Sequence, residues 1–232
     1  MERNNACMFA IQKNVSIVHD LSKLDYCVTT YIETKAIIEG MYGSLKNVDP
    51  HNFDVIINLK RVWNHIINNY QEIKLDLENI SLINNIVGNG LVIDAGKLRS
   101  GDVGVNGVIW QPAIPNKEVV KEKIKEISKI DDPIDRALEY ICFGIRNQLF
   151  YDANKRTSFL MANSILINEN IGLLSVSENN YTEFNELLRE LFNSNKKDSL
   201  KNFFKNKCLE YQPNYIIDEY ENRKDKNVMA EE

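Results

Sequence analysis

The sequence has few cysteines and histidines, and these are scattered. Its 232 residues include four cysteines and three histidines. Cys7, Cys27, Cys142 and Cys208 lie far apart, with no Cys-x-x-Cys pair and no histidine cluster beside them. This spacing argues against a zinc site or a disulfide framework. It is typical of reduced, buried thiols in a cytoplasmic protein.

Dense basic clusters and long apolar runs are also missing. The net charge is -5, and no group of lysines and arginines forms the cluster that a nucleic-acid surface needs. No stretch approaches the roughly 20 apolar residues that span a bilayer. The first 14 residues include Glu2, Arg3 and Lys13, so they do not form the apolar core of a signal peptide. We therefore expect a cytoplasmic protein that binds neither nucleic acid nor a membrane.

What remains is the composition of a soluble globular protein, with 44% hydrophobic and 26% charged residues. Apolar residues recur every three or four positions along most of the chain, which predicts an all-α fold. We predict one domain, with a central buried helix. The predicted parts are a loose lead-in (1–14), a single domain (15–212) made of N-terminal helices (25–92), a flap (96–115) and a helical core (116–212), and a polar tail (213–232).

Helix boundaries follow from capping residues. Asp49-Pro50 and Asp132-Pro133 are typical helix starts, and Gly40 favours a helix end. The predicted helices cover residues 25–41, 49–73, 79–88, 115–130, 131–148, 158–167, 181–192 and 199–211.

The segment from Gly96 to Pro115 has a different character. Glycines interrupt two short stretches, and Asn106-Gly107 between them is the strongest hairpin signal in the chain. The segment predicts one small β-hairpin. Because two strands alone are marginally stable, the hairpin would rest on the helices and could move as a flap.

Four polar residues lie where two apolar helices meet. Asp152, Asn154, Lys155 and Arg156 stand at the start of a helix that is too apolar for a surface position. A helix start binds phosphate readily when Lys or Arg is near, and a neighbouring carboxylate can hold Mg²⁺. The alternative is that Asp152 and Asn154 only cap the helix, while Lys155 and Arg156 are solvated charges.

This stretch resembles the signature of the Fic/Doc family, His-x-Phe-x-Asp/Glu-Gly-Asn-Gly/Lys-Arg-x-x-Arg. Five positions match, and Ala153 replaces the glycine, as in the Doc-like branch. Two positions depart from the signature: Gln148 stands at the catalytic histidine and Phe159 at the final arginine. The matching residues are Phe150, Asp152, Asn154, Lys155 and Arg156.

The resemblance extends from about residue 28 to residue 208. The stretch from Leu98 to Pro112 is similar to the family's flap over the target side chain, with Gly107, Val108, Ile109 and Trp110 at its turn. Glu39-Gly40 resembles the end of an inhibitory Ser/Thr-x-x-x-Glu-Gly/Asn element, although Lys35 occupies the Ser/Thr position. The resemblance therefore marks Glu39 and Gly40 as regulatory.

The resemblance implies a Fic-type fold and a nucleotidyl or phosphoryl transferase that moves AMP from ATP to a protein hydroxyl. It implies Mg²⁺ at Asp152, and nucleotide binding by Phe150, Ala153, Asn154, Lys155 and Arg156. Gln148 and Lys155 occupy the catalytic positions. Because the amide of Gln148 cannot take a proton near neutral pH, we expect nucleotide binding with weak or lost transfer.

One alternative function remains open at this point. The chain could be a non-catalytic regulatory protein of the same fold, whose flap binds a partner segment by strand addition. A protein target or partner at the flap is expected in both cases. A homo-oligomer is compatible with both.

Overall fold

The computed structural model describes residues 3–24, 26–45, 48–105 and 107–215. Within them the chain forms ten α-helices and one two-stranded antiparallel sheet, so the predicted mainly helical fold is confirmed. The helices are α1 (Asn5–Gln12), α2 (Asn14–Lys23), α3 (Tyr31–Glu39), α4 (Pro50–Asn69), α5 (Leu77–Val87), α6 (Lys117–Ser128), α7 (Pro133–Asn147), α8 (Asn154–Asn168), α9 (Tyr181–Ser194) and α10 (Asp198–Phe203), and the strands are β1 (Gly172–Leu174) and β2 (Leu209–Tyr211).

Helix α8 is the buried centre of the molecule, as predicted. Every residue from Arg156 to Ile167 is buried, and α1, α4, α5 and α7 pack around it. Gly144 lets α7 lie closest, because a Cβ at this position would collide with Oγ of Ser158. The turn between α7 and α8 is therefore attached to a fully packed helix.

The predicted loose lead-in is wrong. Asn4 caps α1 by accepting a hydrogen bond from the Cys7 N–H at 2.8 Å, and four residues of this helix are buried. The indole N–H of Trp63 donates to the Ala10 carbonyl at 3.3 Å. An eight-residue helix is unstable alone, so contacts with α4 and α8 stabilise it, and these leave no periodic signal in the sequence.

No helix was predicted over α2, whereas most of the remaining helices begin and end near their predicted positions. Asp49 and Asp132 cap α4 and α7 with a proline in the first turn of each helix, and Gly40 ends α3 with φ of +76°. However, α3 starts later than predicted, at a capping box formed by Thr30 and Glu33. The predicted helix over 199–211 ends at Cys208 after a π-helical turn, and Leu209–Tyr211 instead pairs with Gly172–Leu174.

The predicted hairpin over 96–115 is also wrong in its strands. Asn106 lies outside the described residues, and no strand pairing occurs in 96–105 or 107–115. A turn does form, with the Val108 N–H donating to the Val105 carbonyl at 3.1 Å. We keep the name flap for residues 96–115. Of the predicted tail, residues 216–232 lie outside the described residues.

Candidate functional site

The turn between α7 and α8 contains two non-glycine residues in the left-handed conformation. Gln148 ends α7 with φ of 44° and ψ of 61°, and Ala153 precedes α8 with φ of 62° and ψ of 15°. This conformation costs a non-glycine residue roughly 1 to 2 kcal/mol. The surrounding contacts must therefore hold the turn in place.

Helix α8 begins without a side-chain cap. The side chain of Ala153 has no acceptor atom, and Oδ1 of Asp152 accepts the Ala153 N–H at 2.5 Å rather than an N–H of the helix. The amide of Asn154 bonds to the turn as well. The capping alternative therefore does not describe these side chains, and the N-cap residue Ala153 gives α8 no side-chain hydrogen bond.

Amide groups close the turn from inside. Asn154 accepts the Phe150 N–H at 3.0 Å, and its Nδ2 donates to the Phe150 carbonyl at 2.8 Å and to Oε1 of Gln148 at 3.1 Å. Nε2 of Gln148 donates to the Ile145 carbonyl at 2.7 Å. Both polar atoms of the Gln148 amide are thus engaged within the turn.

Arg99 attaches the flap to this turn. Its side chain is 1% exposed and donates to four backbone carbonyls. Nε bonds to Gln148 at 2.6 Å, and the two terminal nitrogens bond to Gly101 at 2.7 Å, Pro112 at 3.0 Å and Ala113 at 2.6 Å. The flap thus has both of its ends held by one guanidinium, which explains how it keeps its place without a strand ladder.

A cleft of about 360 Å³ lies between the turn, the flap and α9. It brings together three residues predicted from the signature, Gln148, Asp152 and Lys155, with Val108 of the predicted flap turn. The remaining lining residues are Tyr26, Gly104, Val105, Tyr151, Asn185, Leu188, Arg189 and Phe192. The cleft is the candidate functional site.

Among the described residues that line the cleft, the charged groups are two cations and one carboxylate. Lys155 and Arg189 are positive and Asp152 is negative, so these three residues have a net charge of +1. The chain as a whole has a net charge of -5. Nζ of Lys155 lies 5.1 Å from the centre of the Tyr26 ring. Hydrogen bonds from Ser100 lower the pKa of Tyr151, whose hydroxyl lies 3.3 Å from the Ser100 nitrogen. The cleft is therefore suited to an anionic ligand that also has a planar or apolar part.

Sequence reasoning missed the contribution of α9. Asn185 and Arg189 are exposed and four residues apart, so they lie on one face of the helix and reach the cleft together. No motif marks them, and an exposed polar face is ordinary for an amphipathic helix. Only the packing of α9 beside the turn gives them a role.

Several predicted residues do not line the cleft. Phe150, Ala153 and Asn154 are buried beneath it, and Arg156 is 2% exposed. Phe159 lies in the core, edge-on to the rings of Phe184 and Phe204 at 6.0 and 5.5 Å. The position of the family's last arginine is therefore part of an aromatic cluster.

The regulatory and flap predictions also fall outside the cleft. Glu39 is exposed and pairs with Lys35 of its own helix at 3.9 Å, and neither it nor Gly40 lines the cleft. At the flap, Gly107 and Ile109 are exposed, while Trp110 stacks on Arg146 with 4.1 Å between the guanidinium carbon and the ring centre. Inhibition by Glu39 stays a prediction.

Residues 74–166 match the sequence profile of the Fic/DOC family. The chain thus contains a region that is similar to the Fic/DOC family. This family is one of AMP and nucleotidyl transferases that generally use Mg-ATP. The matched region contains α5, the flap, α6, α7 and the turn, but not α9. No curated protein matches the chain in sequence.

Solved structures of Fic proteins have a similar fold. Fic-1 from C. elegans superposes with a TM-score of 0.67 and 18% identity, over 83% of this chain and 59% of that one. A Fic-domain-containing signaling protein from Bacteroides thetaiotaomicron gives 0.67 and 16%, over 80% and 74%. A Fic family protein from Desulfovibrio desulfuricans gives 0.57 and 14%, over 84% and 57%. The present chain thus spans less than two thirds of the length of Fic-1.

Two observations concern metals and membranes. In the part of the chain that the structure describes, no group of three or more His, Cys, Asp or Glu residues could hold a metal ion. No described helix is both long and apolar enough to cross a membrane.

Proposed function

We propose that this protein binds a Mg-nucleotide in the cleft and belongs to the nucleotidyl or phosphoryl transferase class, with weak or lost transfer activity. The observation that carries the proposal is the uncapped start of α8, which opens beside Lys155, Arg189 and Asp152. A helix start beside cations is a ready site for phosphate, because the first backbone N–H groups of the helix point towards the ligand. A nucleotide supplies the phosphates.

The roles of the signature residues differ in our proposal from those that the resemblance implies. Lys155 and Arg189 reach the cleft and would contact phosphates directly. Asn154 and Phe150 are buried, so they would hold the turn in shape rather than touch the nucleotide. Arg156, also buried, would act on the phosphate site from beneath it.

Asp152 fits a magnesium ion that is shared with phosphates. Its described hydrogen bond uses Oδ1 alone, so Oδ2 remains as a ligand. Mg²⁺ is often bound by one or two carboxylates together with substrate phosphates, so a site without a cluster of acidic residues suits it. The ion would neutralise charge on the phosphates and orient them.

Gln148 is the reason to expect poor transfer. A positioned general base contributes about 10²-fold to 10⁴-fold in rate, and an amide cannot act as one. Moreover, the Gln148 side chain bonds to Ile145 and Asn154 rather than standing free in the cleft. Its arrangement supports binding without efficient proton removal from a target hydroxyl.

Calorimetry with ATP and Mg²⁺ tests the proposal. We expect Lys155→Ala to weaken binding at least tenfold, and Asp152→Asn to remove most of the Mg²⁺ dependence while keeping the acceptor for the Ala153 N–H. Lys121→Ala, on the exposed face of α6, is the matched control and should bind as the wild type does. Wild-type protein that binds no nucleotide, with or without Mg²⁺, would contradict the proposal.

A second candidate is a non-catalytic partner-binding protein of the same fold. The side chain of Ile109 at the flap turn is 98% exposed, which favours a contact with another protein. Labelled ATP in a cell lysate separates the two candidates. Labelled protein that depends on Lys155 supports the transferase, whereas capture of a partner that depends on Ile109, without any labelling, supports the partner-binding protein.

A further inference from the structure

A second cavity, of about 530 Å³, lies at the C-terminal end of the flap. It is enclosed by the C-terminal end of the flap, α6 and α7, and it shares no lining residue with the cleft. The lining residues are Ala113, Ile114, Pro115, Asn116, Val119, Val120, Lys123, Cys142, Phe143, Arg146, Asn147, Leu149, Asn195 and Lys197.

Most of the cavity wall is apolar. Val119, Val120, Phe143 and Leu149 supply aliphatic and aromatic surface, and the side chain of Val119 is 67% exposed beside the opening. Burial raises the pKa of the Cys142 thiol to about 12, so this residue adds a neutral, apolar surface. Small-molecule sites are typically mainly apolar, with a few polar groups that fix the ligand's orientation.

The polar part of the wall is cationic. Among the described residues, three cations line the cavity, and no Asp or Glu does. Two of these are neutralised within the protein, because Lys123 pairs with Glu126 at 2.7 Å and Lys197 pairs with Glu139 at 2.6 Å. The remaining charge belongs to Arg146.

Arg146 contacts neutral groups only in the described structure. Nε donates to the Leu191 carbonyl at 3.0 Å, Nη2 donates to the Phe192 carbonyl at 3.4 Å, and the guanidinium lies over Trp110. Nη1 takes no part in these bonds. Burial lowers the pKa of Arg146, which agrees with a charge that has lost water without gaining a carboxylate.

We propose that this cavity binds a small amphipathic carboxylate, with its carboxylate at Nη1 of Arg146 and its apolar body along Val119, Val120 and Phe143. A partly buried guanidinium without an anionic partner is the group that a carboxylate complements best. The apolar wall then accepts a short alkyl or aryl body. The ligand would touch the C-terminal end of the flap, at Ala113 and Ile114.

Octanoate is the probe, and octan-1-ol is its uncharged counterpart. By calorimetry we expect saturable octanoate binding that is at least tenfold tighter than octan-1-ol binding. Octanoate should also change the tryptophan emission of the wild-type protein, because Trp110 stacks on Arg146. Trp110→Phe, which retains only the buried Trp63, should lose this change.

Charge at the opening provides a matched pair of variants. Val119→Glu should weaken octanoate binding at least tenfold, whereas Val119→Gln, equally polar but uncharged, should bind within a factor of about three of the wild type. Position 119 is exposed in the first turn of α6, where a glutamate does not disturb the helix. The absence of saturable octanoate binding, equal binding of octan-1-ol, or equal effects of the two variants would overturn the proposal.

Discussion

Gln148 stands at a catalytic position of the signature and helps to hold the turn between α7 and α8. It occupies the signature position of the proton acceptor, and its amide ties the end of α7 to Asn154 across the turn. The left-handed backbone at this position adds strain that these bonds offset. The residue therefore supports the shape of the site without supplying a base.

We predict that Gln148→His raises transfer from labelled ATP to a protein hydroxyl. An imidazole can retain one hydrogen bond within the turn through its N–H, while the second nitrogen accepts a proton. The expected gain is about 10²-fold to 10⁴-fold, the usual contribution of a positioned base. Labelling of the protein itself and of lysate proteins measures it.

Gln148→Asn is the matched control, because it shortens the amide without adding a base, and it should show no gain. If Gln148→His binds Mg-ATP normally but labels nothing, the missing base is not what limits transfer. The non-catalytic function would then be the better description.

At the scale of elements, the flap depends on Arg99 rather than on strand pairing. Its guanidinium holds carbonyls at both ends of the flap and the carbonyl of Gln148. Two isolated strands are marginally stable in water, whereas hydrogen bonds from a buried charged donor contribute about 1.5 to 3 kcal/mol each. A loop attached in this way can keep its position beside the cleft.

We predict that Arg99→Met releases the flap. The methionine fills similar space but leaves four carbonyls without this donor, so amide hydrogen exchange in residues 100–115 should accelerate far more than exchange in α4. Arg3→Met is the control, because Arg3 makes one exposed hydrogen bond, with Asn68 at 3.0 Å. Unchanged exchange in the flap of Arg99→Met would show that other contacts hold it.

At the scale of the whole molecule, Asp20 joins α2 to Ser175, which follows β1, and to Tyr181 at the start of α9. Ser175 donates to its carboxylate at 2.7 Å, and the Tyr181 hydroxyl donates to its backbone carbonyl at 3.1 Å. Burial, with a smaller contribution from the nearby charge of Glu210, raises the pKa of Asp20 from 3.8 to about 6. The folded protein thus favours a protonated carboxyl here.

This shift makes global stability depend on pH. Between about pH 4 and pH 6 the folded state binds more protons at Asp20 than the unfolded state, so its contribution to stability falls as the pH rises. Asp20→Asn keeps an acceptor for Ser175 without a charge. We expect this variant to be about 1 to 3 kcal/mol more stable than the wild type at pH 7.5, a range that allows for solvent screening.

Urea denaturation of both proteins at pH 7.5 and pH 4 measures the effect. The difference in unfolding free energy should nearly vanish at pH 4, where the wild-type carboxyl is protonated in the folded state. An Asp20→Asn variant that is less stable than the wild type at pH 7.5 would show that the ionised carboxylate stabilises the fold.

The sequence by itself determined the helical fold and most helix boundaries. Asp49-Pro50, Asp132-Pro133 and Gly40 act on the backbone within a few residues, so their effect does not depend on distant parts of the chain. The signature likewise located the turn at the start of α8. Capping residues and the 3.6-residue spacing of apolar residues can both be recognised from the sequence alone.

Only the tertiary structure decided which of these residues face the cleft. The side-chain amides of Asn154 and Gln148 form hydrogen bonds with each other and with nearby backbone carbonyls. Arg189 lines the cleft because α9 packs beside the turn. Contacts between residues far apart in the chain also stabilise α1, pair β1 with β2 and hold the flap through Arg99. Such contacts are selected by how complete surfaces fit together, and no local pattern encodes them.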